Sequence, residues 1–188
     1  MKKIFTFISV VMLASCGQMD SKKEADVAAT PAFTAPADWK TMQQENYSIQ
    51  YPATWELSQP GQGGTLFQVV SPLESDSDKF RENINLVTED LTGKNVDLDT
   101  YEKASLDQIK TAFQDFKMME DKKIKVGAAE YYKIRYSASQ GDTHMELEQW
   151  LRIEKEKAYI LTFVVEKGKY DKFKDIGENI LATFTVKN

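Results

Sequence analysis

From Ala158 to Val165 the chain reads Ala-Tyr-Ile-Leu-Thr-Phe-Val-Val, a run with no charged side chain and no polar face. A strand sends alternate side chains to opposite faces, so a run that is apolar on both faces is a central strand with cover on each side. Helices are the expected cover. The segment that follows supplies one, because Tyr170, Phe173, Ile176, Ile180, Leu181 and Phe184 recur at three- and four-residue spacing, the stripe of an amphipathic helix.

Earlier segments add strands to that centre. Asn46 to Tyr51 alternates, with Tyr47, Ile49 and Tyr51 on one face; Pro52 stops it and Trp55 folds back beneath it. A turn at Pro60-Gly61-Gln62-Gly63-Gly64 leads to an apolar run, Thr65 to Val70. An acidic loop then precedes the alternating run Asn83 to Thr88, which carries Ile84 and Leu86. Asp99, three residues before Glu102, has capping spacing and predicts a helix to about Phe116, with Tyr101, Ile109, Ala112, Phe113 and Phe116 inward.

Beyond Gly127, the run Glu130 to Ser139 places Tyr132, Ile134, Tyr136 and Ala138 on one face and Lys133 and Arg135 on the other. Thr143 to Glu154 carries Met145, Leu147, Leu151 and Ile153 in phase. A two-residue loop at Gln140-Gly141 sets Ser139 opposite Asp142, Tyr136 opposite Met145, Arg135 opposite Glu146 and Lys133 opposite Glu148. Strands, a helix, more strands and a helix make an α+β domain with a largely antiparallel β-sheet flanked by helices.

The N-terminus carries the basic pair Lys2 and Lys3, then an apolar stretch from Ile4 to Leu13 that is too short to span a bilayer. It ends in Leu13-Ala14-Ser15-Cys16, which resembles the lipobox of bacterial lipoproteins. The resemblance implies a signal peptide cleaved between Ser15 and Cys16 and lipidation (palmitate) of the Cys16 thiol. Cys16 is the only cysteine, so it has no partner for an internal disulfide. The expected divisions are a leader at 1–15, the lipidated Cys and a flexible Ala-, Ser- and Pro-rich tether at 16–40, and a folded domain at 41–188. The expected location is exported and lipid-anchored to the bacterial cell envelope, at the periplasm. Gly17 in place of Asp favours the outer membrane over the inner.

The order Tyr47-Ser-Ile-Gln-Tyr-Pro-Ala-Thr-Trp55, Glu82-Asn-Ile-Asn-Leu-Val-Thr88, Leu98-Asp-Thr-Tyr101, a tyrosine-rich strand at 130–136 and Ile180-Leu-Ala-Thr-Phe184 resembles the PsbP family over roughly 45–186. That family includes an extrinsic photosystem II subunit and bacterial PsbP-related lipoproteins. The resemblance implies a PsbP-like α/β/α sandwich and mostly non-catalytic binding or assembly roles. No photosynthetic feature accompanies it here, so photosystem binding does not carry over.

The residues offer little for catalysis. His144 is the sole histidine, and alternation places it on the polar face of its strand. There is no Gly-x-Ser-x-Gly elbow. Glu74-Ser-Asp76-Ser-Asp78 offers oxygen ligands without the glycine and distal Glu of a calcium hand, and Gln59 to Gly64 has the glycines of a phosphate loop without its Lys-Ser/Thr. No cofactor or metal is expected. The Lys117 to Lys125 stretch is interleaved with Glu120 and Asp121 and reads as a solvated edge, and the net charge of −5 disfavours nucleic acid.

Trp150, Tyr132 and Tyr136 are the candidate partner surface. The expected function is a non-enzymatic, lipid-anchored binding or assembly module with a membrane partner through its anchor and a protein partner besides. The alternatives are a small-molecule or metal-binding lipoprotein, through the tyrosine cluster or the acidic loop, and a carboxylate-based envelope hydrolase.

Overall fold

The structure, a computed structural model, describes residues 27, 29–30, 33–61 and 64–187. Ser15, Cys16, Gln62 and Gly63 lie outside the described residues. The chain passes through β1 (Ala29–Thr30), β2 (Lys40–Gln43), β3 (Tyr47–Tyr51), β4 (Glu56–Ser58), β5 (Phe67–Val70) and β6 (Asn83–Asp90). It continues through α1 (Leu98–Ala112), β7 (Gln114–Val126), β8 (Ala129–Gln140), β9 (Thr143–Glu154), β10 (Lys157–Glu166), α2 (Tyr170–Ala182) and β11 (Thr185–Val186).

The main sheet has the order β1-β7-β8-β9-β10-β6-β5-β4, and a three-stranded sheet has the order β11-β3-β2. All pairings are antiparallel except β1 with β7. β10 is interior, as its two apolar faces require. On one face Tyr159, Leu161, Phe163 and Val165 join a core with Tyr47, Ile49, Trp55, Tyr170, Ile180 and Leu181, so α2 and the small sheet together cover it. On the other, Ala158 and Val164 join Ile134, Tyr136, Met145, Leu147, Leu151 and α1's Tyr101 and Ile109. This is the α+β, helix-flanked architecture expected.

Several local expectations are corrected. The β8–β9 loop is Gly141-Asp142, one residue later than expected, with Gln140 opposite Thr143. Gly141 has φ 58, which glycine meets without a Cβ clash. The register therefore shifts by two: Ser139 faces His144, Tyr136 faces Leu147, Arg135 faces Glu148 and Lys133 faces Trp150. A two-residue shift conserves parity, so every side chain keeps its expected face.

α1 is capped by Asp97, whose carboxylate accepts from the Thr100 N–H, not by Asp99. It stops at Ala112, which is exposed, instead of continuing to Phe116. Phe113 and Phe116 share the apolar phase of the helix but meet Tyr136 from the far side of the turn, at ring-centroid distances of 5.9 and 5.4 Å. The stretch expected as tether is partly docked. Ala29–Thr30 pairs in parallel with Lys125–Val126, and the Phe33 ring lies 5.5 Å from that of Trp39.

Gly177 lets α2 lie close to β10. A Cβ built there would come within 2.3 Å of Phe163 Cε1, on a ring that is fully buried. Gly177→Ala is expected to destabilise by roughly 1–3 kcal/mol despite alanine's better helix propensity. A urea titration read by far-ultraviolet circular dichroism checks this.

Candidate binding groove and the charge cluster behind it

Odd-numbered residues of β8 and even-numbered residues of β9 share the α2 face, which makes a polar strip inside an otherwise apolar layer. At its buried end, Glu148 is fully buried and Lys133 has only 8% of its side chain exposed. Lys133 Nζ lies 3.2 Å from Glu148 Oε2, 2.5 Å from Glu178 Oε1 of α2 and 3.4 Å from Glu120 Oε2 of β7. Trp150 Nε1 donates to Glu148 Oε1 at 2.7 Å. The Tyr170 hydroxyl donates to Glu148 Oε2 and to Glu178 Oε1, and the Arg135 guanidinium stacks 4.2 Å over the Tyr170 ring.

Burial, helped by the charge of Glu178, holds the Glu148 carboxyl above its ordinary value against the opposing pull of Lys133, Tyr170 and Trp150. Burial pulls Lys133 down, but Glu148, Glu178 and Glu120 outweigh it and hold the ammonium above its ordinary value. Tyr170 is pushed up by burial and then by Glu148. The cluster thus ties α2 to the sheet with charges that satisfy one another.

Followed toward the β8–β9 turn, the same strip reaches solvent. Glu146 Oε1 accepts the Gly168 N–H at 3.1 Å, which folds the β10–α2 turn over the end of β9. Next on the strip, His144 Nδ1 is 2.7 Å from Ser139 Oγ. Ser139 is buried, so its hydroxyl fixes the ring, and among the described residues no carboxylate bonds the imidazole. A Ser-His-acid relay is not assembled.

His144 lines a shallow, open depression of two adjoining lobes, which share Lys79 and Glu166. Its wall is the connection between β5 and β6, residues 71–82, a long irregular link where a short hairpin would suffice; ordered links of this length are commonly functional. Its base is closed by Ser71 Oγ donating to Glu82 Oε2 at 3.1 Å and Arg81 Nε donating to the Ser71 carbonyl.

Glu74, in the acidic loop, is ion-paired with Lys169 and Lys172, while Asp78 accepts the Glu74 and Phe80 N–H groups. The Glu74 and Asp78 carboxylates are therefore engaged internally. Among the described residues no group of three or more His, Cys, Asp or Glu side chains is placed to hold a metal.

The sequence-nominated surface is corrected. Trp150 is 4% exposed and Tyr136 is fully buried: Trp150 lies in the core shared with α2 and the small sheet, its ring against Tyr131, and Tyr136 lies under the Phe113 and Phe116 rings. Tyr132 is half-buried, with its hydroxyl on Asp99 Oδ1 at 2.7 Å. None of the three reaches the groove. Sequence reading missed Lys79, Lys167, Lys133 and Glu148 as a set, although the alternation of charge along β8 and β9 already singled out two of them.

One further acid is unusual. Glu102 of α1 is 5% exposed, and its Oε1 has no hydrogen-bond partner among the described residues. Burial, and then the charge of Asp121 on β7, push its carboxyl up to about 7; Asp99 adds to this, and Lys103 and Lys110 oppose it. Being buried, it presents no group to a substrate.

Lys133→Met leaves Glu148 buried and uncompensated and is expected to cost roughly 3–5 kcal/mol, with Lys133→Met/Glu148→Met recovering at least half in chemical denaturation. Glu102 binds its proton more tightly folded than unfolded, so its contribution is present below the ordinary value of 4.5 and lost as pH rises toward about 7. Glu102→Gln is expected to match the parent below that window and to exceed it at pH 8 by on the order of 1 kcal/mol, as read from melting curves across pH.

The sequence profile described as PsbP-like protein matches residues 4–186. No curated protein matches the chain. The solution structure of cyanobacterial PsbP (CyanoP) from Synechocystis sp. PCC 6803 aligns with a TM-score of 0.55 at 14% identity, covering 81% of this chain and 95% of that one. LpqN of Mycobacterium tuberculosis, described as involved in cell envelope biogenesis, aligns with a TM-score of 0.56 at 9% identity, covering 80% and 92%. The Saccharomyces cerevisiae Ran-binding protein Mog1p aligns with a TM-score of 0.53 at 10% identity, covering 79% and 95%. At these identities the likeness is one of fold. With its profile matched over nearly its whole length, the chain belongs to the PsbP-like protein family.

Proposed function

We propose that this protein is a non-enzymatic, lipid-anchored binding or assembly module of the bacterial cell envelope, moored through Cys16 and engaging a partner protein at the groove beside His144. The observation that carries the reading is the division of labour along the polar strip. Its buried carboxylates and cations are consumed in holding α2, and only its solvent end opens into a groove walled by a long ordered loop. A rigid scaffold that presents one loop-walled groove suits recognition.

The lipobox-like Leu13-Ala14-Ser15-Cys16 supports export and anchoring. LpqN, a fold neighbour described as involved in cell envelope biogenesis, supports the setting. Pairing of Ala29–Thr30 with β7 leaves residues 17–28 between Cys16 and the sheet, a span of at most about 45 Å. The domain would thus work close to the membrane it is moored to.

Expression of the full chain in a bacterium with lipoprotein processing tests this. The parent is expected to incorporate labelled palmitate and to sediment with membranes, whereas Cys16→Ala loses the label and most membrane association. Crosslinking on intact envelopes is expected to capture a protein only with the parent. An unmodified Cys16 thiol behind an uncleaved leader would sink the anchoring reading.

A further inference from the structure

We propose that α1 is a pH-released cover: a proton on Glu102 seats the helix on β7 and β8, and loss of that proton lifts it from the sheet and bares the apolar cluster beneath; this does not depend on the binding-module reading. Leu98, Glu102, Leu106 and Ile109 recur at four-, four- and three-residue spacing, the core-facing stripe of a helix. An acid therefore stands where an apolar side chain is expected. Glu102 is 5% exposed, and its Oε1 is buried with no hydrogen-bond partner among the described residues. A carboxyl so placed is tolerated when neutral and opposed when charged.

The groups around it add to that opposition. Asp121 of β7 lies opposite Ile134 of β8, and Ile134 belongs to the cluster under α1, so Asp121 shares the face that α1 covers. Its charge repels a charge on Glu102. Asp99 of α1 repels it too, although Lys123 of β7 and the Tyr132 hydroxyl of β8 hold the Asp99 carboxylate. Lys103 and Lys110 of α1 attract it, but both are exposed. β9 brings the apolar Met145, Leu147 and Leu151 to the same cluster, and Glu89 of β6 is engaged by the Tyr101 hydroxyl and Lys94. Desolvation and repulsion prevail, so the carboxyl keeps its proton up to about 7. The helix is lightly fastened, with Tyr101 and Ile109 as its buried apolar side chains. A charge in its stripe bears on the seat of α1 before it bears on the sheet.

Amide hydrogen exchange on the full chain in detergent tests this, each rate being divided by the intrinsic rate at that pH. The α1 amides are expected to open more often than those of β8 and β9, and to lose protection at least about fivefold between about pH 5 and pH 8. Glu102→Gln, neutral at every pH, is expected to hold α1 protection level across that range. Asp121→Asn, at an exposed position, removes the repulsion without disturbing the core and is expected to shrink the loss; it decides the matter by itself if the buried variant proves unstable.

The inference is overturned if parent α1 protection stays level with pH, or if neither variant reduces the loss. It is overturned if α1 and the sheet strands open with one shared constant, which assigns the effect of Glu102 to global unfolding alone. Recovery of α1 protection at pH 8 by millimolar Mg²⁺ or Ca²⁺, in the parent but not in Glu102→Gln, also overturns it, since the carboxyls then hold a cation and not a proton.

Discussion

Burying β10 on both faces is the constraint from which the rest of the architecture follows. A sheet of eight strands at about 4.8 Å spacing is some 35 Å wide, whereas the 13 residues of α2 make a helix about 20 Å long and 10 Å across. One helix cannot roof that face. The small sheet of β2, β3 and β11 supplies the remainder, and Tyr47, Ile49 and Tyr51 of β3 complete the core that α2 begins. On the opposite face α1 and the Phe113 and Phe116 rings pack over the cluster of Ile134, Tyr136, Met145 and Leu151.

The charge cluster is the second organising feature, and it runs against the hydrophobic logic of the layer. Lys133 and Glu148 occupy strand positions that face α2, where apolar residues would cost no desolvation. They are tolerated because every member has partners: Trp150 and Tyr170 donate to Glu148, while Glu178 and Glu120 share the ammonium. Such a network specifies how α2 is rotated on the sheet, since only one orientation brings Tyr170 and Glu178 to it. It also makes the polar strip continuous, so the end that reaches solvent at His144 is held by the same strands that are clamped beneath α2.

The PsbP-like fold recurs in proteins described in different terms, from a cyanobacterial PsbP to a Ran-binding protein and a protein involved in cell envelope biogenesis. Fold alone therefore leaves the role open. In this chain the connection at 71–82 and the turn between β10 and α2 border the depression beside His144.

Much of this was legible in the residues themselves. The apolar run at 158–165 identified the central strand, the spacing of Tyr170 to Leu181 identified its helical cover, and alternation assigned the faces of β8 and β9 even with the loop displaced by one residue. Each of these depends on local periodicity, which a strand or helix expresses wherever it is placed. What local pattern does not contain is which face another element will cover. Trp150 reads as a partner anchor or as a residue beneath a helix, and Tyr136 as groove lining or cross-strand packing; only the tertiary structure decides that both are buried. Lys133 and Glu148 read as a cross-strand surface pair, and only the tertiary structure made them the buried tie between sheet and helix. The extent of α1 and the docking of Ala29–Thr30 on β7 were likewise settled by long-range packing, because a few residues that are individually indifferent to conformation take the state their neighbours in space stabilise.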